Sequence, residues 1–299
     1  MGLAAVPAGE PTLATLTANP GTVVVVAVLA ASFLHASWNV LAKATKDQVV
    51  GFGVIAITAA LWGALVLVVV GGPARASWPY LAVSAAIHVG YNVTLLNSYR
   101  FGELSRVYPL ARGIAPLLVA GAAAVLTGET LDLAQIVGVG VVAGGLTSLV
   151  WIRGGRSLRD RRAVGLALAT GVAIAGYSVV DGLGVRRSAS PLGYAGALFL
   201  VESLVVAAGV GIRRGRSLLL AGRRAWAFGV AGGLLSVTAY SLVLWAQTRA
   251  ALATVSALRE TSVVVAALMG TVLLREGSGG KRVAAAAVVA CGVALVVSG

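Results

Sequence analysis

Long apolar runs separated by short polar stretches make up the chain from residue 22 to its end. A helix needs about 20 residues, most of them apolar, to cross the hydrocarbon core of a bilayer. The runs do not alternate between apolar and polar residues, as the strands of a membrane barrel would. The pattern predicts ten membrane-spanning helices, over residues 22–43, 50–70, 78–98, 104–127, 133–152, 163–183, 191–211, 225–247, 251–274 and 282–298.

The two halves of the chain resemble each other. Arg112 lies 17 residues before Glu129, and Arg259 lies 17 residues before Glu276. In each pair the Arg is inside a predicted helix and the Glu is in the turn after it, which indicates an internal repeat. The predicted organisation is an N-terminal lead over 1–21, a five-helix repeat over 22–152, a basic connecting loop over 153–162 and a second five-helix repeat over 163–299.

Because five is odd, the second repeat must enter the membrane upside down relative to the first. The distribution of charge agrees with this. Loops after odd-numbered helices hold 17 of the 23 Lys and Arg residues, and loops after even-numbered helices hold 4. Since cytoplasmic loops are rich in Lys and Arg, the charge predicts a protein of the cytoplasmic membrane with both termini outside. The predicted fold class is an all-α polytopic membrane protein with two inverted repeats.

Composition narrows the function. Of the 299 residues, 59% are hydrophobic and 11% are charged, so the lipid bilayer is the expected surrounding. The net charge of +13 follows the loops between apolar runs and does not indicate nucleic-acid binding. A single cysteine, Cys291, forms no internal disulfide or CxxC metal site. No P-loop, GxSxG or HExxH motif occurs, so we expect no catalytic residues, no bound metal and no cofactor.

Polar side chains recur at helical spacing in the first and third predicted helices. Both helices contain the pattern His-x-x-aromatic-Asn-Val, which places its polar residues on one helix face. Two such faces are expected either to line a cavity that binds an organic substrate or to hold helices together by hydrogen bonds. The candidate substrate-binding residues here are His35, Trp38, Asn39, His88, Tyr91 and Asn92.

Two intramembrane arginines are candidates for binding a substrate carboxylate or phosphonate. Arg112 lies between Pro109 and Pro116, which free backbone carbonyls and are expected to kink or break the fourth helix. Arg259 is the equivalent residue of the second repeat. Tyr240, which corresponds to Tyr91 of the first repeat, is a further candidate for substrate binding, one predicted helix earlier. The alternative is that each Arg binds an internal carboxylate and fixes the bundle.

Four groups are candidates for carrying a coupled proton: Glu202, His35, His88 and Glu260. A Glu paired with a buried Arg or Lys is the alternative for Glu202. Asp181, near the end of the sixth helix, is expected to be an interfacial or capping residue, and Glu129 to start a helix. The GxxxG pairs Gly140/Gly144 and Gly229/Gly233 predict close helix packing within a protein that is a monomer or homodimer.

Several short motifs resemble the drug/metabolite transporter superfamily, specifically its EamA-type members. They are Ser105-Arg106-Val107-Tyr108-Pro109-Leu110, Pro116, Thr127-Gly128-Glu129, Gln135 with Gly138, and Leu34-His35-Ala36-Ser37-Trp38-Asn39 with Lys43. The resemblance implies ten helices in two repeats, a transport function and, against the charge count, cytoplasmic termini. In the second half Arg275-Glu276-Gly277 replaces Gly-Glu and the ninth helix lacks a proline, so we expect the first repeat to match the family better.

The sequence therefore predicts a secondary transporter that moves a small amino acid, amine or organophosphonate by alternating access, with export favoured by the resemblance. Two other classes stay open at this point. An intramembrane enzyme that acts on lipid-linked substrates would need clustered acidic residues at the membrane surface, whereas the ten acidic residues here are scattered. A non-transporting assembly subunit would need neither a cavity nor a titrating group.

Overall fold

The computed structural model describes residues 20–43, 47–101, 104–152, 161–273 and 279–299. Within these ranges the secondary structure is helical, without strands. The helices are α1 (Pro20–Lys43), α2 (Gln48–Val70), α3 (Trp78–Phe101), α4 (Leu104–Thr127), α5 (Leu133–Ile152), α6 (Arg161–Val185), α7 (Pro191–Arg214), α8 (Arg223–Gln247), α9 (Leu252–Arg259), α10 (Thr261–Leu273) and α11 (Gly279–Ser298). Most of the N-terminal lead, residues 153–160 of the connecting loop and Glu276 lie outside the described residues.

One helix differs from its predicted form. The predicted helix over 251–274 is divided at Glu260 into α9 and α10. The N–H of Glu260 donates to the Ala257 carbonyl at 3.1 Å, and the N–H of Val263 donates to the Glu260 carbonyl at 3.0 Å. Each bond joins residues three positions apart, as in a 3₁₀-helix, whereas α-helical bonds join residues four positions apart. By contrast, α4 is a single helix over its predicted bounds and does not break at Pro109 or Pro116.

Six of these helices are long and apolar enough to cross a membrane: α1, α2, α4, α6, α7 and α8. α5 and α11 contain shorter apolar stretches, over Leu133–Leu149 and Val283–Ser298. Large apolar side chains such as Val68 and Val125 point outward, 83% and 84% exposed, as lipid-facing residues do. The chain is thus a multi-pass membrane protein, and ten crossings stay a prediction.

Helix ends carry recognisable signals. Asp47 caps α2 by accepting from the N–H groups of Val49 and Val50 at 2.9 and 3.2 Å. Asp132 and Gln135 form a reciprocal capping box at the start of α5, with bonds of 2.8 and 3.2 Å. Gly128 follows α4 at φ +69°, a conformation that favours glycine. These local signals explain why the predicted helix bounds agree closely with the observed ones.

The packing of the helices is reciprocal between the two halves. α2 packs on α7 and α5 packs on α11, while α3 packs on α6 and α1 packs on α8. Glycines permit the closest of these approaches: a Cβ on Gly138 of α5 would lie 2.7 Å from the Gly292 carbonyl of α11. The largest apolar core lies where α1, α5, α8, α9 and α11 meet.

The two predicted glycine motifs differ in their surroundings. Gly229 and Gly233 of α8 face α2, where Val54 and Thr58 leave no room for a Cβ, and the Thr58 hydroxyl donates to the Gly229 carbonyl at 2.6 Å. Gly140 and Gly144 of α5 have nothing within 4 Å of a built Cβ. The prediction of close packing within the chain is therefore confirmed for Gly229 and Gly233. It was wrong for Gly140 and Gly144, because that face of α5 points outward.

Candidate functional site

Tyr240 of α8 lies at the centre of a cluster of aromatic rings contributed by both halves of the chain. Its ring meets those of His88, Tyr177 and Phe199 edge-on, with centroids 6.1, 6.3 and 6.1 Å apart. The His88 ring stacks on Tyr177 at 4.1 Å, and Tyr91 packs on the same tyrosine at 5.7 Å. Such rings form an apolar wall with polar tips, which suits an amphipathic organic molecule.

Arg112 of α4 is engaged with the break between α9 and α10. Its Nε donates to Glu260 Oε2 at 2.9 Å and its Nη2 donates to Ser262 Oγ at 3.1 Å. Both members of the ion pair are buried, with 4% and 2% of their side chains exposed. The structure thus gives Arg112 an internal carboxylate, which is the arrangement of the alternative interpretation, and Glu260 a guanidinium partner.

Arg259 is buried to a similar extent, with 8% of the residue exposed, but its guanidinium makes fewer polar contacts than that of Arg112. Its Nη1 donates to Ser178 Oγ at 3.4 Å, and the guanidinium lies 5.2 Å from the centroid of the Tyr240 ring. In the part of the chain that the structure describes, no carboxylate lies within ion-pair distance of it. A guanidinium has five N–H donors, so Arg259 retains donors for an anion.

Glu202 of α7 lies beside His88, a member of the aromatic cluster. Its Oε2 is 4.0 Å from His88 Nε2. The Glu202 side chain is 18% exposed. Among the described residues no Lys or Arg lies within ion-pair distance of Glu202, and His88 is its basic neighbour.

The polar residues of α1 form a second wall. Trp38 Nε1 donates to His35 Nδ1 at 3.3 Å, and the Trp38 ring meets Phe52 of α2 edge-on. The His35 ring is subject to the charges of both Arg112 and Arg259. In α1 the Asn39 side-chain amide donates to the backbone carbonyl of His35 at 2.7 Å. In α3 the Asn92 side-chain amide donates to the backbone carbonyl of His88 at 2.9 Å. The shared motif therefore has the same local hydrogen bond in each helix.

Asp181 was misjudged from the sequence. It is completely buried, and its Oδ1 and Oδ2 accept hydrogen bonds from the Tyr194 and Tyr240 hydroxyls at 2.9 and 2.5 Å. The expected interfacial or capping role was wrong because Asp181 faces inward on α6, one turn after Tyr177 and Ser178. An acid inside an apolar run is a functional candidate by default, and this signal was available in the sequence.

An ion pair joins the two halves of the chain at the end of α6. Arg186 Nη2 donates to Glu129 Oε1 at 2.9 Å, and Arg186 also donates to the carbonyls of Gln247 and Ala250 at 2.8 and 3.0 Å. Glu129 Oε2 accepts from the Leu252 N–H at 2.8 Å, so Glu129 caps the start of α9. Glu129 thus interacts with the start of a helix, as expected, but that helix belongs to the other half of the chain.

Most of the predicted site residues thus lie around one interior region. His88, Tyr91, Asn92, Tyr240 and Arg259 surround the aromatic cluster or touch residues that do, with Glu202 beside them. Trp38 and Asn39 lie farther out on α1. The sequence missed the contributions of α6 and α7, namely Tyr177, Ser178, Asp181, Tyr194 and Phe199. The described residues contain no group of three or more His, Cys, Asp or Glu side chains that could hold a metal ion.

Comparisons with known proteins bear on the fold and the family. Among 29 matching chains of known structure, one crystal structure is 18% identical and covers 92% of this chain and 95% of its own, with a TM-score of 0.72. At that identity the likeness shows the fold. No curated protein matches the sequence. The family model of the EamA-like transporter family matches residues 161–298, the half whose motifs depart further from the expected pattern. The second half of the chain thus matches a family of membrane transporters that is part of the drug/metabolite transporter superfamily.

Proposed function

We propose that the protein is a secondary transporter that moves a small polar or amphipathic organic anion or zwitterion across the cytoplasmic membrane by alternating access. The observation that carries the proposal is Arg259, a buried guanidinium with open donors beside a wall of aromatic rings. A buried charge without a carboxylate partner is costly, so an anionic ligand would stabilise it. Amino acids and organophosphonates carry such a group.

The two arginines have different roles in this proposal. Arg259 binds the anionic group of the substrate, and Arg112 holds the α9–α10 break through Glu260. The aromatic cluster around Tyr240 receives the apolar part of the substrate. Glu202, beside His88 of the cluster, receives an amine where the substrate has one. Substrates with an anion at one end and an amine at the other would use both Arg259 and Glu202.

Alternating access follows from two inverted repeats. The reciprocal packing of α3 on α6 and of α1 on α8 supports the repeat arrangement, since a two-fold axis in the membrane plane would exchange these contacts. The Glu129–Arg186 ion pair, which joins the two halves, is the contact that we propose to act as a closure at one end of the bundle. We propose that it opens when the opposite end closes, with the site exposed to each side in turn.

The test is flux into proteoliposomes for a panel of amino acids, amines and phosphonates, with and without a pH gradient. The key variant is Arg259→Ala, and the matched control is Arg249→Ala, whose exposed side chain stacks on Trp245 away from the cluster. Loss of a charge-assisted hydrogen bond costs about 1.5–3 kcal/mol, so the apparent affinity for anionic substrates should fall by roughly 10- to 150-fold.

The control variant should keep wild-type flux. Flux that is equal in wild-type, Arg259→Ala and empty liposomes for the whole panel would overturn the transport proposal. Flux of amines alone, unaffected by Arg259→Ala, would overturn the assignment of an anion site. Turnover of a lipid-linked substrate without flux would favour the enzyme alternative.

A further inference from the structure

Asp181 is a buried carboxyl whose partners are both neutral. Its two oxygens accept from the hydroxyls of Tyr194 and Tyr240, and its side chain is shielded from solvent. In the described part of the chain, no Lys, Arg or His lies within ion-pair distance of it. Holding a carboxylate in an apolar interior without a cation is costly, and a proton removes that cost without breaking an ion pair.

The other buried carboxyls differ from Asp181 in this respect. Glu260 is paired with Arg112 at 2.9 Å, so protonating it would leave a buried guanidinium without its counter-ion. Glu202 lies beside His88 and is partly exposed. Tyrosine hydroxyls can donate to a carboxylate or accept from a carboxylic acid, so the partners of Asp181 fit both forms.

Asp181 is connected to Arg259 in two ways. The Tyr240 hydroxyl donates to Asp181 while the Tyr240 ring lies beneath the Arg259 guanidinium. Ser178, one helical turn before Asp181, accepts from Arg259 Nη1. A negative charge on Asp181 therefore lowers the attraction of Arg259 for a substrate anion, and its neutralisation restores that attraction.

We propose that Asp181 is the proton-binding site of transport, and that its protonation raises the affinity of Arg259 for the anionic group of the substrate. This inference rests on the proposed transport function and its anion site at Arg259. In each cycle a water-borne proton binds the Asp181 carboxylate on one side of the membrane, accompanies the anion, and returns to water on the other side. Proton and anion then move together, since each strengthens the binding of the other.

Titratable and charged residues lie on α6 and on the helices that pack on it. They include Tyr177 on α6, Tyr80 and His88 on α3, Arg112 on α4, Tyr194 and Glu202 on α7, Tyr240 on α8 and Arg259 on α9, and of these Tyr194 and Tyr240 bond to Asp181. In general, arginine and tyrosine side chains do not change charge between about pH 5.5 and about pH 8. Glu202 and His88 are consequently the groups whose titration must be separated from that of Asp181.

The experiment measures binding of benzenesulfonate to the purified full-length protein by calorimetry. This aromatic anion keeps its charge at about pH 5.5 and about pH 8, so any pH dependence belongs to the protein. The wild type should bind it about tenfold more tightly at the lower pH, within the range of ordinary coupling between two sites. Binding in weak buffer should also take up protons.

Asp181→Asn, which mimics the neutral form, should bind benzenesulfonate equally at both pH values. Glu202→Gln and His88→Gln should retain the wild-type ratio of affinities, whatever their absolute affinity. Tyr194→Phe keeps the carboxyl and removes one donor, so it should move the midpoint of the pH profile. That variant tests the proposal even if Asp181→Asn does not fold.

The outcomes separate the two proposals. Binding that is lost in Arg259→Ala but independent of pH in the wild type would overturn the role of Asp181 and leave the anion site standing. A pH ratio that persists in Asp181→Asn, or disappears in Glu202→Gln or His88→Gln, would do the same. Absence of binding in the wild type at both pH values would overturn the anion site and the coupling together.

Discussion

The buried ion pair between Arg112 and Glu260 offers a sharp test of whether Arg112 is structural. We consider Arg112→Met, Glu260→Met and the double variant. In each single variant one charge stays behind, 4% or 2% exposed, without its partner. Breaking such a pair costs about 3–5 kcal/mol, whereas replacing both members by apolar residues of similar size is often neutral or stabilising.

The magnitude can be measured as an apparent melting temperature in lipid nanodiscs, followed by the fluorescence of the six tryptophans. A loss of 3–5 kcal/mol corresponds to a fall on the order of 10 °C for a chain of this size. The double variant should melt within a few degrees of the wild type, because neither buried charge is left. The two single effects are therefore strongly non-additive.

The surface pair Arg214–Asp47 is the matched control. Its atoms are 3.5 Å apart and its side chains are 43% and 46% exposed, so Arg214→Met should cost at most about 1 kcal/mol. Single variants of Arg112 and Glu260 that melt like this control, or a double variant as unstable as the sum of the singles, would refute the reasoning. Benzenesulfonate binding by the stable double variant would further separate a structural Arg112 from a substrate-binding one.

Three further predictions concern packing, closure and the aromatic cluster. Gly138→Ala should lower the melting temperature because its Cβ meets the Gly292 carbonyl, at a cost of about 1–3 kcal/mol, while Gly140→Ala on the same helix should be nearly neutral. Closure can be followed with a cysteine introduced at the buried position Ser256 in a Cys291→Ser background. Because Glu129→Gln weakens the contact with Arg186, it should raise the labelling rate of that cysteine by about tenfold. An unchanged rate would contradict the closing role of the ion pair. Tyr240→Phe should retain the aromatic wall but lose the bond to Asp181, so substrate affinity should change less than its pH dependence, which the calorimetric titration measures.

The sequence predicted the helices well because their bounds are set locally. Apolar runs, capping residues such as Asp47 and Asp132, and glycines after helices all act within a few positions. The pairing of Arg112 with Glu260 joins residues 148 positions apart, and no local pattern specifies which carboxylate an arginine meets. The same limit applies to Glu129, whose partner Leu252 lies in the other half.

The division at Glu260 has a similar origin. Neither proline nor glycine marks the position, and the freed carbonyls of Leu258 and Arg259 are satisfied from α1, where the Ser32 hydroxyl donates to them at 3.4 and 3.3 Å. In α4 the two prolines suggested a distortion of the helix, but the helix continues through both of them. A membrane helix can accommodate proline because neighbouring groups satisfy the freed backbone carbonyls. The prediction for Asp181 failed for a different reason. Its place near the end of a predicted helix indicated an interfacial residue, whereas its side chain lies on the inward face of α6 and is buried.

The polarity of α3 has a consequence for how the chain is made. α3 carries the polar residues His88 and Asn92 near its middle, and it packs on α6 and α7. During synthesis α3 leaves the ribosome about 60 residues ahead of α6, which takes roughly 3–12 s at ordinary bacterial elongation rates. Over that interval His88 and Asn92 have no neighbours from the second half, so the insertion machinery must shelter α3 until α6 arrives.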